Sequence, residues 1–207
     1  KQCIAMDTVM KFQRTLIGQD EGMSAGDIIL MIAGSEEFAD ITLRNTDKKP
    51  LKEFNKRQRM KDTNAIIKFP LPGDTGTGCI KTGPEKVSVL LQATLGLLLE
   101  GNNFSMDVSR IWKAAPRVAN FLIHFAIHLQ TVEPGLPLKT VTSCVNVASS
   151  INCKCWWEGK YVARQLENIG PMLAKQLVEN KLDSIEALLE TPSTKFEDVL
   201  NRRTNGF

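Results

Sequence analysis

Residues 164–182 read RQLENIGPMLAKQLVENKL. Apolar positions recur at helical spacing on both sides of a short break, Asn168-Ile169-Gly170-Pro171, so the stretch reads as two short amphipathic helices joined by a tight turn. Pro171 suits the first turn of a helix, where its missing N–H has no partner anyway. Gly170 accepts a positive φ, and asparagine at position 168 is the next-best residue for one. Such a turn directs backbone N–H groups outward at a helix N-terminus, where a phosphate can sit. The stretch is therefore either a helix-hairpin-helix that reads a nucleic-acid backbone or an ordinary helical hairpin packed into a core. Gly170 and Lys175, the one cation of the second helix near the turn, are its candidate contacts.

The pattern around the hairpin is helical almost throughout. Residues 24–34 (SAGDIILMIAG) form a helix with Ser24 as N-cap and Gly34 as stop signal, and a second short helix follows from Ser35 to about Leu43. Helices are expected at about 84–100, at 105–131 with an interruption at Pro116, and at 138–155, ahead of Trp156-Trp157. Weaker helical pattern continues through residues 184–190 and 196–200. Residues 70–78 (PLPGDTGTG) are a Gly/Pro-rich loop. Ala65–Phe69 is the one plausible strand. The fold class is mainly α: a helical bundle followed by a small helix-hairpin-helix domain.

Composition narrows the function classes. The chain has 207 residues, 43% hydrophobic and 24% charged, the balance of a soluble globular protein with a sizeable core. A net charge of +3 makes it no general polyanion binder, so electrostatic function must come from local patches. Five cysteines, odd in number and unevenly spread, argue for reduced thiols rather than a disulfide framework. The chain opens on Lys1 with no secretory signal, as an excised fragment of a longer protein would. Its longest apolar run, Val87–Leu99, is broken by Gln92 and Gly96 and is too short for a bilayer; no membrane partner is expected.

Enzyme chemistry finds no foothold. GTGCIKT (76–82) has Ile80 where a P-loop needs its second glycine. His124 and His128 are four apart, but Phe125 stands where a zinc-protease motif has Glu. Cys153 and Cys155 lack a second pair at zinc-finger spacing. No metal ligands, no cofactor and no catalytic residues are expected within these residues.

Two cationic features remain. Residues 44–61 hold eight Lys/Arg, among them Lys48, Lys49, Lys52, Lys56, Arg57 and Arg59, against Asp47 and Glu53. Such a run is a solvated helix and loop, or a docking surface for nucleic acid or an acidic neighbour. In the 105–131 helix, at about 100° per residue, Arg110, Lys113, Arg117, Asn120, His124 and His128 fall within one sector of roughly 80°. Ile111, Ala115, Val118, Leu122, Phe125 and Leu129 occupy another. The polar sector is cationic without a carboxylate, and side chains at that spacing can follow the phosphates or bases of one strand.

Longer stretches carry a resemblance. SEEFADITLRNTDKKPLKEFNK (35–56), IIKFPLPG (66–73), CIKTGPEKVSVLLQATLG (79–96), FSMDVSRIWKAAPRVANFLIHFAI (104–127) and INCKCWWEGKYVARQLENIGPMLAKQLVENKL (151–182), in this order and ending near VLNRR (199–203), resemble the Brl-type C-terminal domain of Ski-two-like superfamily-two helicases. Their combination is most similar to the Mer-three/HFM-one family of meiotic crossover DNA helicases. The loop at 70–79, the segment 131–139 and Pro116 depart from the family pattern.

The resemblance implies that residues 1–20 are the tail of a winged-helix connection, 21–160 a helical bundle, and 161–207 the helix-hairpin-helix domain. It makes 105–131 a ratchet-like helix against translocating single-stranded or branched DNA, and the hairpin a secondary backbone contact, with Asn168 in place of one usual glycine. It places ATP and Mg in upstream RecA-like domains of a nuclear 3′-to-5′ helicase. An immunoglobulin-like domain is expected beyond Phe207, and recombination or mismatch-repair proteins are further candidate partners. Alternatives are a protein-interaction platform using residues 44–61, or the equivalent domain of a spliceosomal-type RNA helicase.

Overall fold

The computed structural model describes residues 3–17, 21–56, 67–71, 79–96, 104–132 and 135–200. Among them all regular structure is helical, as the patterning implies, and no helix is long and apolar enough to cross a membrane. The chain divides into two units, Lys1–Asn152 and Cys153–Phe207.

In the first unit, α1 (Met6–Leu16) buries Thr8, Phe12 and Leu16. Helix α2 (Ala25–Ala33) starts at a capping box: Ser24 Oγ accepts from the Asp27 N–H at 3.3 Å, and Asp27 Oδ2 accepts from the Ser24 N–H at 2.9 Å. Gly34 ends it. The helix expected at 35–43 shrinks to one 3₁₀ turn, Glu36–Phe38. Side-chain bonds to α1 take its place. The Glu37 carboxylate accepts from the Ala5 N–H at 2.9 Å and the Thr8 hydroxyl at 2.6 Å, while the Glu36 N–H donates to Thr8 Oγ1 at 2.9 Å.

Another 3₁₀ turn, Asn45–Asp47, leads into α3 (Lys48–Lys56), which turns Leu51 and Phe54 inward. Helix α4 (Gly83–Leu95) is capped by Thr82 and Glu85 and buried on nearly every side, so it forms the centre of the bundle. It packs against α2, α3 and α5 (Ser105–Val132). Gly83 is required at its start, because a Cβ there would lie 2.7 Å from the Ile41 carbonyl oxygen. Helix α6 (Leu138–Cys153) ends two residues before the expected 155, at Lys154 with φ 53°. Thr140 and Ser143 of α6 bond the Met23 N–H and carbonyl, both at 2.9 Å, and so fix the entry to α2.

Two expectations fail here. Residues 65 and 66 of the expected strand lie outside the described residues, and 67–69 are not strand. Two side-chain amides do the work of a neighbouring strand instead. Gln92 bonds both the N–H and the carbonyl of Phe69, at 2.8 and 2.9 Å. Asn55 does the same for Leu71, at 2.9 and 2.8 Å. Both backbone segments are thereby satisfied without a ladder. The second failure concerns Pro116, which lies inside an uninterrupted α5 of 28 residues. A proline there costs about 3 kcal/mol. Burying the flanking Ile111, Val118 and Leu122, at about 1.5–3 kcal/mol each, exceeds that cost.

The second unit is built on Ala163, Leu177 and Leu182, with Ile169, Leu188, Phe196 and Leu200 packed partly buried around them. Its first hairpin arm is a 3₁₀ turn, Val162–Gln165, rather than an α-helix. Helix α7 (Pro171–Glu179) follows, then α8 (Ile185–Glu190), capped by Ser184, and α9 (Ser193–Leu200). A Schellman motif closes α7: the Leu182 N–H reaches the Leu177 carbonyl at 2.9 Å and the Lys181 N–H the Val178 carbonyl at 3.0 Å. Lys181 holds the left-handed position, φ 63°, where glycine is usual.

Candidate nucleic-acid interface

Helix α5 separates its two faces cleanly. Ile111, Ala115, Val118, Leu122 and Leu129 are buried; Phe125 is half-buried, stacked on Phe121 at 5.6 Å, which in turn stacks on Phe12 at 6.3 Å. On the other side Arg110, Lys113, Asn120, His124 and His128 are exposed and Arg117 is half-buried. Asn120 exchanges amide bonds with Asn152 of α6, at 2.7 and 3.4 Å, which ties the stripe to the neighbouring helix.

The one carboxylate of α5, Asp107, turns inward, where Lys86 Nζ meets it at 2.8 Å. The same ammonium bonds Asp47 at 2.6 Å and the Thr42 carbonyl at 3.0 Å, and lies 5.9 Å from the Phe104 ring centroid. Lys86 is fully buried. Burial pushes the Asp47 carboxyl up, but its hydrogen bonds to Lys86 and the Arg44 backbone, with the charges of both residues, outweigh this and hold it below its usual range. One buried cation thus joins the first turn of α5 to the residue that precedes α3. The exposed cations of α5 keep no carboxylate of their own helix beside them.

This node is what the sequence reading misses. Lys86, directly ahead of the apolar run of α4 that begins at Val87, was the available signal, since a charge at a core position needs a buried partner.

On α3, Lys48 and Lys49 are exposed and Lys52 is half-buried. Lys56 is the last residue of α3, and Arg57 and Arg59 lie outside the described residues.

The hairpin turn differs from its expected form. The positive φ falls on Asn168 (63°), whereas Gly170 is extended, φ −80° and ψ 178°, a conformation open to any residue. Gly170 is the N-cap of α7, and a Cβ added to it would meet nothing within 4 Å. Pro171 occupies the first turn as expected, and no side chain caps the helix. The turn is thus open enough for an anion, and Lys175 lies half-buried one turn along. Its charge setting is unfavourable: residues 161–200 hold seven Asp/Glu against four Lys/Arg.

None of the five cysteines forms a disulfide. Burial pushes the Cys144 thiol up to about 12, and burial with the neighbouring Cys153 takes Cys155 to about 11 against the pull of Arg164. Burial also lowers the Arg164 pKa. His124 and His128 gather no third ligand: among the described residues no group of three or more His, Cys, Asp or Glu could hold a metal ion.

The chain is 33% identical over 201 residues to the probable ATP-dependent DNA helicase HFM1 of Homo sapiens, covering 96% of this chain and 13% of that protein. It is 27% identical over 180 residues to the ATP-dependent DNA helicase MER3 homolog of Oryza sativa subsp. japonica, covering 85% and 14%. Against ATP-dependent DNA helicase MER3 of Saccharomyces cerevisiae it is 25% identical over 198 residues, covering 91% and 16%. The chain therefore spans only about one seventh of the length of these relatives. The Sec63 Brl domain family matches from residue 3 to residue 204, leaving almost nothing of the sequence outside it, and the chain belongs to that family.

Proposed function

We propose that this chain is the non-catalytic, strand-contacting module of an ATP-dependent 3′-to-5′ DNA helicase of meiotic recombination, acting in the nucleus. Its relatives are named as DNA helicases, and ATP with Mg would be handled by domains outside these residues. The observation that carries the reading is the exposed face of α5, where Arg110, Lys113 and Arg117 recur along one side while Asp107 is turned inward onto Lys86. Cations at this spacing neutralise successive phosphates of a single strand, and His124 extends the row. Asn120 positions it through Asn152. Gly170 and Lys175 add at most a weak backbone contact beside an acidic surround.

In the complete helicase, Arg110→Ala with Arg117→Ala lowers unwinding about tenfold, with an unchanged circular dichroism spectrum. Unwinding at the original rate would remove α5 from the strand path. The exposed Lys48 and Lys49 support a second reading, in which α3 docks an acidic neighbouring domain or partner. Lys48→Glu with Lys49→Glu, read as single-stranded DNA affinity, separates the two, since docking alone leaves strand affinity intact.

A further inference from the structure

The second unit carries an apolar groove that the strand-contacting role does not use. It lies between the segment Val162–Ile169 and the helices α8 and α9, with a volume of about 680 Å³. Leu166, Ile169, Ile185, Leu189, Phe196 and Leu200 supply most of its wall. Leu166 is 50% exposed, Ile185 51% and Leu189 82%. One exposed leucine is ordinary, but several lining one concavity mark a surface that another molecule covers. A unit this small buries only a narrow core, here Ala163, Leu177 and Leu182, and leaves the outer faces of α8 and α9 uncovered.

Charge narrows the occupant. The groove is lined by Glu167 and Glu197 and by no lysine or arginine. Residues 161–200 as a whole hold seven Asp/Glu against four Lys/Arg. Nucleic acid is disfavoured there, since its phosphates would face carboxylates and its backbone offers no apolar face. An added strand has no template either, because the groove is walled by side chains and not by a sheet edge. What remains is a helix laid into the groove by apolar anchors at i, i+3/i+4 and i+7. Lysines or arginines beside the anchors would meet Glu167 and Glu197.

We propose that this groove docks an amphipathic helix of a partner protein, apolar on one face and basic along its margins. The test uses the 207-residue chain and fluorescein-labelled synthetic helical peptides of about 16 residues with leucine at the anchor positions. One peptide has lysine at the flanking positions and its twin has glutamate. Fluorescence anisotropy is expected to give saturable binding of the lysine peptide and about tenfold weaker binding of the glutamate twin. Leu189→Asp, a change at a side chain mostly in solvent, lowers lysine-peptide affinity about tenfold with an unaltered circular dichroism spectrum. Glu167→Lys narrows the gap between the twins without removing the apolar wall.

Several results would overturn the proposal. These are equal affinity for the twins, no saturable binding of either, undiminished binding by the Leu189→Asp chain, or displacement of the peptide by single-stranded DNA. So would a wild-type chain that self-associates and becomes monomeric on Leu189→Asp, because the groove would then seat a second copy.

Discussion

Helix α5 and the turn at Asn168–Pro171 both offer a nucleic acid something to hold: the first a row of cationic side chains, the second an uncapped helix N-terminus. Their surroundings part them. Around α5 the one carboxylate of the helix, Asp107, is buried against Lys86, and the face that carries Arg110, Lys113 and Arg117 holds no carboxylate of its own helix. Around the turn the local sequence is acidic, and the nearest cavity is apolar with glutamates on its lining. Backbone shape alone would rank the hairpin first. Local charge reverses the order, because a helix-terminus interaction is worth roughly 0.3–1 kcal/mol at an exposed site and is easily outweighed.

The largest effect expected on the α5 side of this contrast comes from Lys86. Lys86→Met leaves Asp47 and Asp107 buried without their cation and lowers stability by about 3–5 kcal/mol, measured by urea denaturation. Adding Asp47→Asn and Asp107→Asn to the same chain restores part of the loss, since an uncharged set needs no counter-ion. A loss below about 1 kcal/mol for Lys86→Met would mean that the node does not hold the start of α5.

The hairpin side is sharpened by a smaller change of opposite sign. Lys181→Gly relieves the left-handed backbone of the Schellman position and raises stability by about 1 kcal/mol, read as a higher unfolding midpoint. Strand affinity stays as it was. A change in affinity with Lys181→Gly would return the hairpin to the strand path.

What the residues disclose in advance depends on how local the chemistry is. The Ser24 cap and the Gly34 stop of α2 are legible because a capping bond spans three residues. The two faces of α5 are legible because periodicity is a property of the helix itself. The segment 67–71 is not, since its partners Gln92 and Asn55 are brought to it by the packing of α4 and α3. Pro116 misleads for the same reason: the local rule predicts a break, and burial on both sides of it overrides the rule. At the candidate interface, the cations are visible in sequence while the buried pairing of Asp107 with Lys86 is not. The groove of the second unit is formed by three segments from different parts of the unit, so no single stretch announces it.

The central claim is that α5, and not the hairpin, meets the strand. The most direct measurement is the slope of log Kd against log salt for single-stranded DNA, taken with the complete helicase. Each phosphate contact contributes about 0.7 to that slope. Arg110→Ala, Lys113→Ala and Arg117→Ala together are predicted to reduce its magnitude by about 2, while Lys175→Ala leaves it unchanged. A slope unaltered by the triple change and reduced by Lys175→Ala would contradict the account.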